Sequence, residues 1–473
     1  MSQADASLYL FSLLLLLSPS LSLIPQPASF SISPQYYRLP FVVDVQHNAP
    51  YCFTLHASIK RLLESFNLRH LVRDLPSSFA GNITCLQINV ASECNELTGV
   101  LYPNEDSKED CKFAMKIYQV VIFGGVIMIN ASEVWGAMHG LTSVAQLVMS
   151  TSVNEKYLPN VRIFDKPRWP FRSFLIDTSR HFIPLQYILQ FLKAMSTVKM
   201  NVLHWHIVDD QSFPYESYTF PKLSDKGAYS RNRATYTQQD VQIIIEYARS
   251  LGIRVLPEFD TPGHTRSWGY GYPTLLTPCS FGRGSTGSYG PLNPIKSTTY
   301  DFVAQLIGEV VKTFPDKAIH LGGDEVDFTC WKSNPEIRDF MTKMGFNSSY
   351  TKLENYYFVN LFRKIKEVTN KTMKTYVWQE VFDDGLNNST IVHVWKNGWK
   401  TELDMITRAG KEVIFSACWY LSSIRYGEDW IEHYQCDPAS FTNDAKQLAL
   451  LKGGGAAMWG EYVDHTNLIS RSW

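Results

Sequence analysis

Two adjacent carboxylates, Asp324 and Glu325, follow an apolar run and a glycine pair in the sequence His320-Leu321-Gly322-Gly323-Asp324-Glu325. In an ordinary retaining glycosidase two carboxyl groups flank the scissile bond, about 5–5.5 Å apart, and one is the nucleophile. Sequence neighbours leave one strand end together and approach from one side. That suits a proton donor standing beside a group that orients the same sugar. The nucleophile must then come from elsewhere, and the 2-acetamido oxygen of an N-acetylhexosamine can supply it. A capping or surface carboxylate pair is the bland alternative, and the apolar run that leads into the pair argues against it.

Similar chemistry ends other apolar runs. They stop in Asp177-Thr178-Ser179-Arg180-His181, in His204-Trp205-His206 with Asp209-Asp210, and in Glu258-Phe259-Asp260 with His264. Later runs deliver Trp378 with Glu380, Trp395, Trp419-Tyr420, and Trp459 with Glu461. Carboxylates, an arginine and several tryptophans gathered on one rim describe a carbohydrate site, because rings stack on sugar faces and charged groups grip hydroxyls. A metal centre is the competitor: His204, His206 and Asp210 share strand parity. No third ligand at reliable spacing follows from the sequence, so neither a metal nor another cofactor is expected.

The elements that must position these groups read as eight strands. They are Phe171 to Ile176, Val202 to Val208, Ile253 to Phe259, Ala318 to Leu321, Met373 to Trp378, Thr390 to Trp395, Glu412 to Ala417 and Gly454 to Trp459. Helical patterns separate them: Leu185, Ile188, Leu189, Leu192 and Met195 form one stripe. Val241, Ile244, Ile245, Ala248 and Leu251 form another, opened by the capping pattern Thr237-x-x-Asp240. Strict alternation predicts a (β/α)8 TIM barrel over residues 166–473, with its site at the C-terminal strand ends. Only a dozen residues follow the last strand, so the final barrel helix is expected to be missing or incomplete.

Residues 25–165 predict a smaller α+β domain. Strand-like alternation runs over Phe41 to Val45 and Thr84 to Val90, and helical spacing over Ile59 to Val72 and Ser132 to Met149. The run Ile117 to Ile129 carries Gly124-Gly125 at its centre and predicts a hairpin rather than a membrane span. Residues 1–24, with the apolar stretch Leu8 to Leu17, read as a secretory signal. Eight cysteines and Asn-x-Ser/Thr triplets at Asn82, Asn130, Asn347, Asn370, Asn387 and Asn388 agree with that compartment. Lys and Arg total 44 against 45 Asp and Glu, so no field favours nucleic acid or an anionic membrane. The 12 Trp, 25 Tyr and 27 Phe leave rings to spare for a sugar face.

The segments LIDTSRHFIPL, HWHIVDDQSFPYES, VLPEFDTPGHTRSWG, HLGGDEVDFTCWKSNPEI, YVWQEVF and MWGEYVD, in this order, resemble the lysosomal-type β-N-acetylhexosaminidases of glycoside hydrolase family 20. The resemblance implies an N-terminal α+β domain before a catalytic barrel, and substrate-assisted retaining hydrolysis of N-acetylhexosaminyl glycans. It implies that Glu325 is the general acid/base and that Asp324 holds the acetamido N–H, with Tyr420 binding the acetamido oxygen. By the same resemblance Arg180 and Glu461 bind sugar hydroxyls, Asp209 and His264 support the acid/base, and Trp378, Trp395 and Trp459 wall the pocket. It also implies disulfides Cys279–Cys330 and Cys52–Cys94, a lysosomal or secreted protein, and a dimer. After Trp419-Tyr420-Leu421 the family carries Asn or Asp, which helps grip the terminal sugar hydroxyls, and Ser422 here reaches less far; Ser423 offers no charge where the relative that accepts acidic substrates has Arg, which favours neutral substrates. The alternative is a relative that binds N-acetylhexosamine without efficient turnover, a reading that rests on the early stop of the chain.

Overall fold

The computed structural model describes residues 23–66, 78–103, 118–152, 155–280, 285–370, 373–386, 389–425 and 427–473. The chain divides into two compact units whose main boundary lies between Arg168 and Trp169. The segment read as a secretory signal lies almost wholly outside the described residues, as do Cys111, Asn387 and Asn388.

Among the described residues, the first unit is an eight-stranded sheet with two helices, Phe53–Ser65 and Val134–Leu147. Its core gathers Leu55, Ile59 and Leu62 from one helix with Ala137, Leu141 and Val144 from the other, over Leu86, Ile88, Ile127 and Ile129 of the sheet. Tyr118–Phe123 and Val126–Ala131 pair antiparallel around Gly124 and Gly125, whose φ values of 60° and 81° suit a two-residue hairpin turn. The strand expected at Phe41 to Val45 forms later, at Asp44–His47, and Phe41 is 98% exposed. Its position follows from parallel pairing with Cys85–Val90, which begins at Asp44. Cys52 and Cys94 are bridged, and Cys85 is free. Asn82 is exposed, whereas Asn130 is half-buried in a strand and its side chain accepts a hydrogen bond from Asn89.

The second unit is a closed barrel of eight parallel strands: β1 (Phe171–Asp177), β2 (Val202–Val208), β3 (Arg254–Phe259), β4 (Ala318–His320), β5 (Lys374–Trp378), β6 (Ile391–Val394), β7 (Val413–Phe415) and β8 (Leu451–Met458). β8 closes on β1 from Gly453↔Phe171 to Met458↔Ile176. Helix Leu185–Thr197 buries Ile188, Phe191, Leu192 and Met195 against the barrel. Helix Gln238–Ser250 buries Val241, Ile244, Ile245 and Ala248, and Thr237 with Asp240 forms the expected capping box. Each of these side chains larger than alanine contributes about 1.5–3 kcal/mol by leaving water, so the two stripes are enough to seat their helices.

After β8 a five-residue helix, Leu468–Ser472, buries Leu468. Trp473 stacks on Phe174 of β1 at 5.6 Å and meets Phe191 edge-on at 5.2 Å. This last segment therefore covers apolar surface beside β1. Among the described residues, no helix is long and apolar enough to cross a membrane. Asn347 and Asn370 are exposed at turns, both with φ near 50°.

The barrel interior is layered. At the bottom Phe171, Val202, Leu256, Ala318, Tyr376, Ile391 and Ile414 form an apolar plug. Above it lie buried His204, Glu258, His320 and His393. At the top, Leu175, Trp378 and Ala457 pack beneath Trp395, Tyr420 and Trp459. Inward positions two residues apart on each strand produce these tiers.

Candidate active site

A fully buried carboxylate is costly unless it is paired, and Glu258 is buried inside β3. Its Oε2 lies 2.7 Å from His204 Nε2 and 3.0 Å from His206 Nδ1. Its Oε1 lies 3.2 Å from His320 Nδ1 and accepts a 2.9 Å hydrogen bond from Trp378 Nε1. Burial alone would raise the Glu258 pKa, but His320, His206 and His204 hold it well below the usual range. Burial pushes His204 down to about 4, so that ring is neutral. Burial also disfavours charge on His206, yet Glu258 and Asp209 raise it to about 10. A carboxylate–imidazolium–carboxylate chain thus runs from the barrel core to its rim.

Asp209 receives that chain. Its Oδ2 lies 2.8 Å from His206 Nε2 and 3.0 Å from Arg180 Nη2, and its Oδ1 lies 3.1 Å from His264 Nδ1. Burial would raise its pKa; the bonds to His206 and His264 hold it below the usual range. Burial likewise opposes charge on His264, but Asp324, Asp260 and Asp209 raise it to about 11. His264 Nε2 in turn lies 3.7 Å from Asp324 and 3.9 Å from Glu325. Arg180 also pairs with Asp177 at 3.0 Å and Glu461 at 4.0 Å, and sits 5.1 Å over the Trp459 ring. Asp177 further accepts from the Gly460 N–H at 2.9 Å, which ties the ends of β1 and β8 together.

The turn after β4 explains its glycines. Gly322 and Gly323 have φ of 67° and 96°. A Cβ on Gly322 would meet Asp260 Oδ1 at 1.6 Å, and one on Gly323 would meet Val381 Cγ2 at 2.3 Å. This close approach lets the Gly323 N–H bond Asp260 at 2.9 Å. Burial, then the neighbouring Asp324, pushes the Asp260 pKa well above the carboxylate range, so Asp260 is a neutral acid able to donate to Asp324. Asp324 is 8% exposed, whereas the Glu325 side chain is 59% exposed. One carboxylate is therefore fixed and the other projects. Gly322→Ala is expected to lower the melting midpoint by about 5 °C or more, from backbone strain of about 1–3 kcal/mol plus the clash. Thermal unfolding checks this, and an unchanged midpoint would show that the turn relaxes without cost.

Over these groups lies a cavity of about 380 Å³, lined by Arg180, Asp324, Glu325, Trp395, Tyr420, Ser422, Ser423, Ile424, Trp459, Glu461 and Tyr462. That size lies within the range of about 300–1,000 Å³ typical of small-molecule sites. Tyr420 stacks on Trp395 at 5.7 Å and lies 6.4 Å from Trp459. Burial, then Asp324, raises the Tyr420 pKa well above its ordinary value, which keeps its hydroxyl a donor. Trp395 is fixed by Nε1 bonding Glu380 at 3.0 Å.

Seven of the ten residues expected at the site line this cavity. Trp378 does not: it is 1% exposed and forms a floor beneath, 6.4 Å from Trp395 and 6.1 Å from Trp459. Asp209 is buried behind Arg180, and His264 stands on the far side of Glu325. The metal alternative built on Asp210 does not form, because Asp210 accepts from the Arg266 N–H while His206 turns to Asp209 and Glu258. His204, Glu258 and His320 do bring ligand atoms within 4.8 Å, but those atoms already contact one another. Glu258, grouped by sequence with the rim residues Asp260 and His264, instead lies inside the barrel among the histidines. Its signal was a charge inside the apolar run Val255-Leu256-Pro257-Glu258-Phe259.

Comparison with known proteins agrees with this architecture. Residues 169–473 match the model for glycosyl hydrolase family 20, catalytic domain. The chain is 42% identical over 468 residues to the human beta-hexosaminidase subunit beta, covering 96% of this chain and 81% of that protein. It is 47% identical over 391 residues to the rat beta-hexosaminidase subunit alpha, covering 81% and 71%. Among solved structures, the chitobiase of Flavobacterium johnsoniae superposes with a TM-score of 0.79 at 26% identity, over 95% of this chain and 67% of that one. An exo beta-N-acetylglucosaminidase from Vibrio harveyi, solved in complex with N-acetylglucosamine, shares the fold with a TM-score of 0.76 at 20% identity, over 93% and 70%. With its family match spanning the barrel and these relatives spanning most of its length, the chain belongs to glycosyl hydrolase family 20.

Proposed function

We propose that this chain is an exo-acting β-N-acetylhexosaminidase that removes terminal non-reducing N-acetyl-β-D-glucosamine or galactosamine from glycoconjugates or chito-oligosaccharides. The mechanism is substrate-assisted and retaining. One observation carries it: Asp324 and Glu325 enter the cavity from a single strand end, and the other carboxylate there, Glu461, faces Arg180 at 4.0 Å. The rest of the lining, Trp395, Tyr420, Ser422, Ser423, Ile424, Trp459 and Tyr462, adds no further carboxylate to serve as the nucleophile of an ordinary retaining pair. In this reading Glu325 protonates the leaving oxygen while the acetamido oxygen attacks the anomeric carbon. Asp324 takes the acetamido N–H and balances the positive charge of the cyclised intermediate. Tyr420 aims the acetamido oxygen, and Arg180 with Glu461 holds hydroxyls. Glu325 then deprotonates the water that opens the intermediate.

The relatives named beta-hexosaminidase support the reaction. Disulfides Cys52–Cys94, Cys279–Cys330 and Cys418–Cys436 support a lysosomal or secreted protein. The purified protein should hydrolyse an aryl N-acetyl-β-glucosaminide and release the β anomer first, as read by proton NMR during turnover. First release of the α anomer would overturn the retaining mechanism, and absence of turnover would favour a binding protein.

A further inference from the structure

Three disulfides join described residues, and they differ in depth. Cys52, Cys94, Cys279 and Cys330 are at most 8% exposed, whereas Cys418 and Cys436 are both half-buried. The bridge between those two spans 18 residues, the shortest separation of the three. Within that span lies one side of the active-site cavity: Tyr420, Ser422, Ser423 and Ile424. Building on the function proposed above, we propose that Cys418–Cys436 is a positioning bridge for this wall, and that a small dithiol opens it and so weakens substrate binding.

The segment between the two cysteines has few other anchors. Its start is sewn to β8: the Ala457 N–H donates to Trp419 O at 2.9 Å, and the Leu421 N–H to Ala457 O at 3.0 Å. Arg471 Nη2 reaches Leu421 O and Ser422 O at 3.4 and 3.5 Å. The chain then returns through the helix Asp429–Gln435, whose 7 residues include none that is buried. A helix that short is not stable by itself, and this one has no buried face to seat it. The Arg425–Glu432 ion pair lies in solvent, at 52% and 72% side-chain exposure, where such pairs contribute little. A clamp beside the bridge brings the helix back. Trp419 Nε1 donates to His433 O at 3.0 Å, His433 Nδ1 donates to Cys418 O at 2.6 Å, and Cys436, the C-terminal cap of the helix, is bonded to Cys418. Trp419 itself meets Phe415 of β7 edge-on at 5.2 Å. The disulfide is the covalent member of this clamp, and Tyr420 is the next residue along.

Opening is a two-electron exchange. A dithiol's thiolate attacks one sulfur of the bridge, forming a mixed disulfide and releasing the other cysteine as a thiolate. The dithiol's second sulfur then displaces the remaining cysteine, which leaves two protein thiols and a cyclic disulfide of the reagent. Access selects the bridge that reacts, and among the three this one is the least covered. An opened wall must be ordered again by each substrate molecule, and that ordering is subtracted from affinity.

The test first blocks free thiols, then treats the folded protein with dithiothreitol, alkylates the new thiols and locates them by mass spectrometry. Cys418 and Cys436 should be labelled before the other four bridged cysteines. KM for an aryl N-acetyl-β-glucosaminide should rise by roughly fivefold or more in step with that labelling, and reoxidation of an unalkylated sample should restore it. The double variant Cys418→Ser, Cys436→Ser should show the same rise with no dithiol present. A bridge that served stability alone would lower the folded fraction, and with it the apparent kcat, at unchanged KM. Unchanged KM in the opened protein, or failure of this pair to label first, would overturn the proposal; should the double variant not fold, the opened wild type decides. An untreated protein that turned over no substrate would overturn the proposed reaction, and its affinity for N-acetylglucosamine before and after opening would then decide the bridge separately.

Discussion

Glu325→Gln is expected to lower kcat on the β-1,4-linked disaccharide by roughly 10²–10⁴-fold while changing substrate binding little. The argument starts from the leaving group, a sugar alkoxide that departs poorly unless protonated. Glu325 projects, its side chain 59% exposed on the ridge between two cavities, whereas the other exposed carboxylate of the cavity, Glu461, lies 4.0 Å from Arg180. Its backbone holds that position at φ 51°, in the left-handed region that a glutamate adopts only when the surrounding fold imposes it. Asp324 cannot substitute, being sunk beside neutral Asp260 and charged His264. The amide of glutamine fills the same space but has no acidic proton to give. An aryl glycoside, whose leaving group is already stable as an anion, should lose much less in the bond-breaking step. Steady-state rates over a series of leaving groups check both statements. A loss below tenfold on the disaccharide, or equal losses across the series, would remove Glu325 from this role.

Much of this site was legible because strand ends carry it. Parity and alternation located all eight barrel strands, although β4 and β7 shrink to three residues each, since the paired core is shorter than the apolar run around it. Arg180, Asp324, Glu325, Tyr420 and Trp459 each follow such a run directly, so sequence position sufficed to bring them to one rim. Depth was not legible. Trp378 and Trp395 follow successive strands, yet Trp378 ends inside the barrel, its Nε1 bonded to Glu258, while Trp395 reaches the cavity. That difference depends on how far each strand rises in the closed barrel, a property of stagger rather than of composition. A second cavity, which Tyr289 lines and which shares Glu325, was hidden for a related reason. Tyr289 lies on a hairpin inserted after β3, and its approach to Glu325 depends on packing and a disulfide formed across 51 residues.

A change at the sugar, not the protein, should have an effect at least as large. An aryl β-glucoside, with a hydroxyl in place of the 2-acetamido group, should be hydrolysed slower than the matching N-acetyl-β-glucosaminide by roughly 10³-fold or more. An internal nucleophile held in line is worth effective molarities of about 10⁵–10⁸ M, and the glucoside loses all of that benefit. The protein has no ready replacement. Asp324 leaves the same strand end as the acid, Glu461 faces Arg180, and the rest of the lining, which includes the rings of Trp395, Tyr420 and Trp459, adds no further carboxylate. In the proposed reaction those rings have a positive use: Trp395, Tyr420 and Trp459, which pack together, would enclose the acetamido methyl, while the Tyr420 hydroxyl stays protonated and able to donate. A thiazoline, which copies the cyclised intermediate, should accordingly bind far more tightly than the product sugar, because it meets Asp324 and Tyr420 as the transition state does. Rates on the paired glycosides and an inhibition constant for the thiazoline decide the matter. Comparable rates on the two glycosides would require a protein nucleophile and would return the site to ordinary two-carboxylate chemistry.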